Sequence, residues 1–133
     1  MVASVITATG ITAIVDRFDN TSTATNFWIA WGTGGSSTGA TATSADTGLK
    51  AAATEAWVAA TLSQPDTDSN RFVATITAGT AKTIEEAIVF FGTSTATGTA
   101  TNRCLMRASH GGQILATGDS ISYTLTMTAS AVA

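Results

Sequence analysis

The side chains that could do chemistry are few, and their spacing decides how far each reading goes. Gly35-Ser36-Ser37-Thr38-Gly39 fits the G-x-S-x-G pattern of a nucleophile elbow, and Ser37, Asp46 or Asp66, and His110 follow in the order serine, acid, histidine. An elbow needs a strand running into the serine and a helix leaving it, whereas Ser37 stands in a Ser/Thr/Gly run without helix-forming sequence after it. Asp66-Thr67-Asp68-Ser69-Asn70 opens like a calcium loop, then places Arg71 where glycine is needed and Thr77 where the bidentate glutamate belongs, so a hairpin turn after Pro65 is expected. Glu85 and Glu86 are adjacent acids; neighbouring strand side chains point to opposite faces, so one is expected to face solvent and the other an arginine or an interface.

His110 has no second histidine or nearby cysteine to share a metal and reads as a turn residue before Gly111-Gly112. Cys104 is the one cysteine; with no histidine beside it to lower its pKa it reads as a small buried filler, and it cannot form an internal disulfide. Gly32-Thr33-Gly34-Gly35 lacks the third glycine of a dinucleotide fingerprint and the Lys-Ser/Thr of a phosphate loop, and reads as a turn. Trp28, Trp31 and Trp57 suit core or subunit packing better than base stacking, since no basic groove accompanies them. These residues point to a chain that is not an enzyme and carries no cofactor and no metal.

The elements that must position these residues are strands. Ser120 to Met127 alternates polar and apolar residues in strict period two. Arg71 to Thr77 and Ile84 to Phe91 are β-branched runs ending at glycines, expected to pair as neighbours. Val2 to Thr7 and Ile11 to Phe18 read as strands interrupted at Gly10, and Phe27 to Trp31, apolar on both faces, as a central strand. Glu55 to Leu62 is read as a strand preceded by a turn at Asp46 to Lys50, and Arg103 to Ala108 as one more short strand. Seven or eight strands in 133 residues, divided by Gly, Asp, Asn and Ser turns, predict an all-β fold: one antiparallel β-sandwich, jelly-roll-like, over residues 1–133. The stretches Thr33 to Ser44 and Thr93 to Thr101, almost without bulky side chains, are expected to be surface loops.

Charge is scarce. Only 11% of residues are Asp, Glu, Lys or Arg, less than half of the usual ~25%. The net charge of −3, with the basic residues scattered, argues against a nucleic-acid partner. No uncharged apolar run approaches the ~20 residues that cross a bilayer, and the start has no basic n-region, so neither a membrane partner nor a secretory signal is expected. A surface this neutral resists self-association poorly and is tolerable mainly where neighbours cover it, which points to a homo-oligomer, a trimer or dimer.

Several pieces in order resemble small tailed-bacteriophage virion proteins, the jelly-roll or β-sandwich decoration (cement) proteins and related tail-fibre and collar modules. They are the apolar strand ending in Gly-x-Gly at Ile29 to Gly34, the acid-Thr-x-Leu turn at Asp46 to Leu49, and the alternating strand at Phe72 to Ala78. Thr-Ile-x-Glu-Ala-x-x-Phe at Thr83 to Phe90, Leu-x-Arg at Leu105 to Arg107, and the Gly-Asp-Ser opening at Gly118 complete them. The resemblance implies a structural virion protein on the outer surface of a capsid, stabilising adjacent subunits of the major capsid protein. The alternative is a tail-fibre, head-fibre or collar module that binds a receptor or glycan through Trp28, Trp57 or Tyr123. The candidate interface residues are Val2, Val5, Ile6, Trp28 and Trp57, with segment 1–9 as an arm or edge strand adding to a neighbour's sheet.

Overall fold

A computed structural model describes residues 3–7, 10, 27–35, 41–66, 69–91 and 104–128. The expected strands Ile11 to Phe18 and the loop Thr93 to Thr101 lie outside the described residues, as do Val2 and Ser37. The described strands are β1 (Ala3–Ile6), β2 (Phe27–Gly32), β3 (Val58–Ala59), β4 (Thr61–Asp66), β5 (Ser69–Thr77), β6 (Lys82–Phe91), β7 (Cys104–Leu115) and β8 (Ser120–Thr128). They form two antiparallel sheets, one of five strands ordered β1-β7-β6-β2-β3 and one of three ordered β4-β5-β8, so the chain is an all-β sandwich.

Alternation builds the layer between the sheets. Phe72, Ala74 and Ile76 of β5 and Tyr123 and Leu125 of β8 face Ile29, Trp31, Ala87, Val89, Met106 and Ala108 of the larger sheet. Phe27 and Phe72 meet with ring centroids 5.0 Å apart, and Trp31 meets Tyr123 edge-on at 6.5 Å. The outward residues of β5 and β8 are chiefly hydroxyls, with Thr77 opposite Ser120 and Thr75 opposite Ser122.

The neighbour pairing expected between the 71–77 and 84–91 strands does not occur. β5 pairs with β4 and β8, whereas β6 pairs with β2 and β7. The chain changes sheets after Thr77, where Ala78 donates its N–H to Asp119 O and accepts from Gly118 N, each at 2.8 Å. Gly118 has φ 92°, a left-handed conformation that glycine adopts without strain. The Glu55 to Leu62 strand is real but divided: Val58–Ala59 pairs with β2, Ala60 N–H bonds Phe27 O, and from Thr61 the chain belongs to the smaller sheet.

No turn forms at His110-Gly111-Gly112. β7 runs through them to Leu115, and the register steps from Glu86↔Ser109 to Ile84↔Gln113. Three residues of β7 therefore oppose Glu85 alone, a bulge that keeps the strand in the sheet where the sequence pattern suggested an end. The expected hairpin after Pro65 is present, with Asp66 paired to Ser69.

Candidate functional site

The larger sheet has a second face, and that face is covered as well. Ala30, Ile88, Phe90 and Cys104 pack there against Leu49 and Trp57 from the 41–57 segment, with half-buried Trp28 alongside. Trp57 meets Phe90 edge-on at 3.8 Å. The segment is held down by ions as well as by apolar contact. Arg107 projects from β7 on this side and is fully buried. Its Nε donates to Glu86 Oε2 at 2.6 Å, Nη1 to Asp46 Oδ2 at 2.9 Å and Nη2 to the Gly34 carbonyl at 2.9 Å. Each edge of the guanidinium has an acceptor, which a buried charge requires.

The two carboxylates reach outward from Arg107 to the backbone. Glu86 accepts from Gly34 N at 3.3 Å and Ala51 N at 2.9 Å through Oε1, and from Lys50 N at 3.1 Å through Oε2. Asp46 accepts from Thr43 N at 2.8 Å and Thr43 Oγ1 at 3.2 Å, and pairs with Lys50 Nζ at 2.8 Å. Two cations and two anions thus form a neutral cluster in which Arg107, Glu86 and Asp46 are buried. Burial opposes the charge on Asp46, yet Lys50, Thr43 and Arg107 outweigh it and hold the carboxyl down at about 2.

Glycine makes this approach possible. A Cβ on Gly32 would lie 2.4 Å from Ala51 O and 2.5 Å from Glu86 Oε1, and one on Gly34 2.9 Å from Ala51 N. On Gly35 it would lie 2.3 Å from Glu85 Cβ. The expected glycine turn is therefore a backbone seat pressed over two acids. Glu85 and Glu86 are both buried, so neither faces solvent as expected. The register step beside them brings both carboxylates under one glycine run.

A smaller satellite repeats the device. Glu55 accepts from Gly79 N at 2.9 Å, from Trp31 Nε1 at 3.0 Å and from Lys82 Nζ. Burial raises its pKa, but Lys82, Gly79 and Trp31 bring it down to about 2. At the β1 end, Thr7 Oγ1 donates to Cys104 O and accepts from Gly10 N at 3.0 Å.

The remaining candidates separate. Asp46 belongs to Arg107, while His110 bonds Tyr123 OH through Nε2 at 3.1 Å and Gly111 O through Nδ1 at 2.9 Å. Burial pushes the Tyr123 phenol up, with the Glu86 charge adding to it. Cys104 is the buried filler the sequence suggested, its thiol pushed up to about 12 by burial. Trp31 and Trp57 are buried. Val5 and Ile6 are half-buried in β1, which pairs in this chain with its own β7, Val5 opposite Arg107 and Ile6 opposite Met106. Among the described residues no group of three or more His, Cys, Asp or Glu side chains could hold a metal, and no helix is long and apolar enough to cross a membrane.

The cluster assembles four of the motifs singled out in the sequence: Gly-x-Gly at Gly32 to Gly34, the acid of Asp46 to Leu49, the glutamate of Thr83 to Phe90 and the arginine of Leu105 to Arg107. Their mutual contact was missed. The available signal was a charged residue inside an apolar run, Arg107 between Met106 and Ala108 and Glu86 before Ala87-Ile88-Val89. No family model, curated protein or solved structure matches the chain.

Proposed function

We propose that this chain is a structural virion protein: a capsid decoration protein that binds the outer surface of a phage head and stabilises adjacent major-capsid subunits. The observation that carries this reading is where the charges are. Asp46, Glu85, Glu86 and Arg107 are buried and Glu55 and Lys82 half-buried, which leaves Lys50, Asp66, Arg71 and Asp119 as the exposed charges among the described residues. In a chain with only 11% charged residues, a described surface that exposes four of them has weak colloidal repulsion, and it suits a protein that works covered by neighbours. The ion cluster of Arg107, Glu86, Asp46 and Lys50, a clasp on the 41–57 segment, adds a second support, since four of the six pieces behind the phage resemblance meet in it and fasten a loop layer to a sheet.

The mechanism is mechanical. Each bound copy contributes interface free energy to the assembled shell, and mass action over many copies opposes its opening. The interior of such an interface is depleted in charge, a condition that a surface with few Asp, Glu and Lys side chains meets. For a glycan-binding fibre module, two of the three candidate stacking rings, Trp57 and Tyr123, are interior, leaving Trp28.

The test is co-sedimentation of the purified protein with phage heads stripped of it. Saturation at a fixed number of copies per major-capsid subunit, with a raised melting temperature of the head, is expected. Absence of binding, or a handful of copies per particle, overturns the capsid role.

A further inference from the structure

The 41–57 segment is tied to the larger sheet chiefly through side chains. Its backbone makes one isolated bridge, Gly32 with Ala52, flanked by Thr33 N–H to Ala51 O at 2.8 Å and Ala53 N–H to Trp31 O at 3.2 Å. Beyond it, Ala42 N–H bonds Ser109 Oγ at 3.1 Å, and the Lys50 and Ala51 N–H groups bond the Glu86 carboxylate. Ion pairs fasten both ends: Asp46 with Arg107 and Lys50 towards the start, and Glu55 with Lys82 near the close. The layer between the sheets is held differently, by apolar side chains and by the long backbone ladders β5–β8 and β6–β7. A backbone ladder keeps its partners at any pH, whereas a carboxylate loses its charge-assisted bonds when it takes up a proton.

We infer that residues 41–57 form a strap that lifts off the larger sheet as one unit on acidification, while the two-sheet sandwich beneath stays folded. Three carboxylates make the strap sensitive to protons. Asp46 bonds Arg107, Lys50 and Thr43, and Glu86 bonds Arg107 and the N–H groups of Gly34, Lys50 and Ala51. Glu55 bonds Lys82, Gly79 and Trp31. The other titratable side chains around them are Glu85 on β6, beside Gly35 and Gly112, Cys104 on β7 and Tyr123 on β8, and burial holds the last two neutral. Leu49 and the Ala52 bridge lie between the anchors at Asp46 and Glu55, so the two ends are coupled and open together.

Closure and ionisation reinforce each other. Asp46 and Glu55 sit at about 2 in the closed form and return towards 3.8 and 4.5 once freed. Because closure depresses both values, it has their full support above about pH 5 and loses it as pH falls towards 2. Apolar contact opposes release, since lifting takes Leu49 and Trp57 off Ala30, Ile88 and Phe90. The strap is therefore shut at neutral pH, and protons open it by outweighing that contact. It is a property of the single chain and holds whether or not the protein decorates a capsid.

The test is amide hydrogen exchange of the full chain, read residue by residue by NMR as protection factors from pH 6 down to pH 2.5. The reporters are Ala42, Lys50, Ala51 and Ala53, whose N–H groups reach from the strap to Ser109, Glu86 and Trp31. Their protection should fall together by on the order of a hundredfold between pH 6 and pH 3 as Asp46 and Glu55 regain ordinary values, while the β5–β8 ladder keeps its own. Ala42 and Ala53 bond a hydroxyl and a backbone carbonyl, neither of which titrates, so their loss distinguishes lifting from the mere protonation of an acceptor. At pH 6, Glu55→Gln should lower the protection of Ala42, and Asp46→Asn that of Ala53, each by about tenfold or more, because the ends open as one. Three results overturn the inference: strap and ladder losing protection at one common pH, Ala42 and Ala53 holding theirs until the ladder goes, or each variant acting only at its own end. The pH series of the unaltered chain decides the matter if either variant fails to fold.

Discussion

The two sheets use the same chain composition in opposite ways. The five-stranded sheet is covered on both faces, by the smaller sheet on one side and by the 41–57 segment on the other, and its second cover is fastened through buried charge. The three-stranded sheet is covered on one face and presents hydroxyls on the other, with Ser69 bonding Thr128 at 3.1 Å and Thr77 bonding Ser120 at 2.7 Å across the strands. In a chain so poor in charge, ions serve here to fix an internal layer, and solubility of the outer face falls to Ser and Thr. The comparison predicts that stability resides in the clasp and tolerance in the hydroxyl face.

Breaking the clasp at its centre should have the largest effect. Arg107→Ala leaves Asp46 and Glu86 buried beside each other without their shared cation, and a loss of about 3–5 kcal/mol is expected in urea unfolding. The Arg107→Met, Glu86→Gln, Asp46→Asn triple variant should recover part of that loss, because the buried charge is removed together with its partner. Recovery separates the cost of an orphaned ion from the worth of the layer itself.

Acid reaches the same layer more gently. Asp46 and Glu55 have ordinary values of 3.8 and 4.5 and are held at about 2 in the fold. Because the folded values are depressed, their stabilisation is complete above about pH 5 and is lost as pH falls through 4 toward 2, on the order of 2–3 kcal/mol for each group. Thermal unfolding from pH 6 to pH 2 measures this, and Asp46→Asn should flatten the part of the slope that Asp46 contributes.

These outcomes bear on what the sequence made legible. Period-two alternation marked β8 with the right inward set, Tyr123 and Leu125 among them, because a strand with one wet face prints its geometry directly on residue order. Alternation is silent about which strand pairs with which. The 71–77 and 84–91 runs are consecutive, yet Ala78 and the residues after it carry the chain across the sandwich, and the partner of β5 is the distant β8. Two glycines after His110 read as a turn because a bulge and a turn require the same residue type; only the facing Glu85 distinguishes them. One of Glu85 and Glu86 was legible as facing an arginine or an interface, but not which of them, and Arg107 lies 21 positions from Glu86 and 61 from Asp46, separations that no local pattern encodes.

The glycine seat sharpens the contrast within the larger sheet. At Gly35 a methyl group would stand 2.3 Å from Glu85 Cβ, whereas at Gly111 it would meet nothing within 4 Å. Gly35→Ala should therefore destabilise by about 1–3 kcal/mol through overpacking, and Gly111→Ala by less than about 0.5 kcal/mol or not at all. Equal effects would mean that the cover shifts to accommodate the methyl, and that the clasp holds the segment less tightly than its hydrogen bonds indicate.

The smallest effect belongs to the hydroxyl face. Thr124 lies on the outer side of β8 opposite Val73, exposed, between the inward Tyr123 and Leu125. Thr124→Lys exchanges a residue of good β-propensity for a poorer one and loses a cross-strand methyl contact with Val73, while the ammonium reaches water freely. The net change should stay within about 0.5 kcal/mol by urea unfolding, an order of magnitude below Arg107→Ala. A loss above 2 kcal/mol would place this face against another part of the chain and end the distinction between the two sheets. If stability is unchanged, the same variant can probe assembly: a lysine here that abolishes binding to stripped heads assigns the capsid contact to the hydroxyl face, because it puts a charge into an interface that is otherwise neutral.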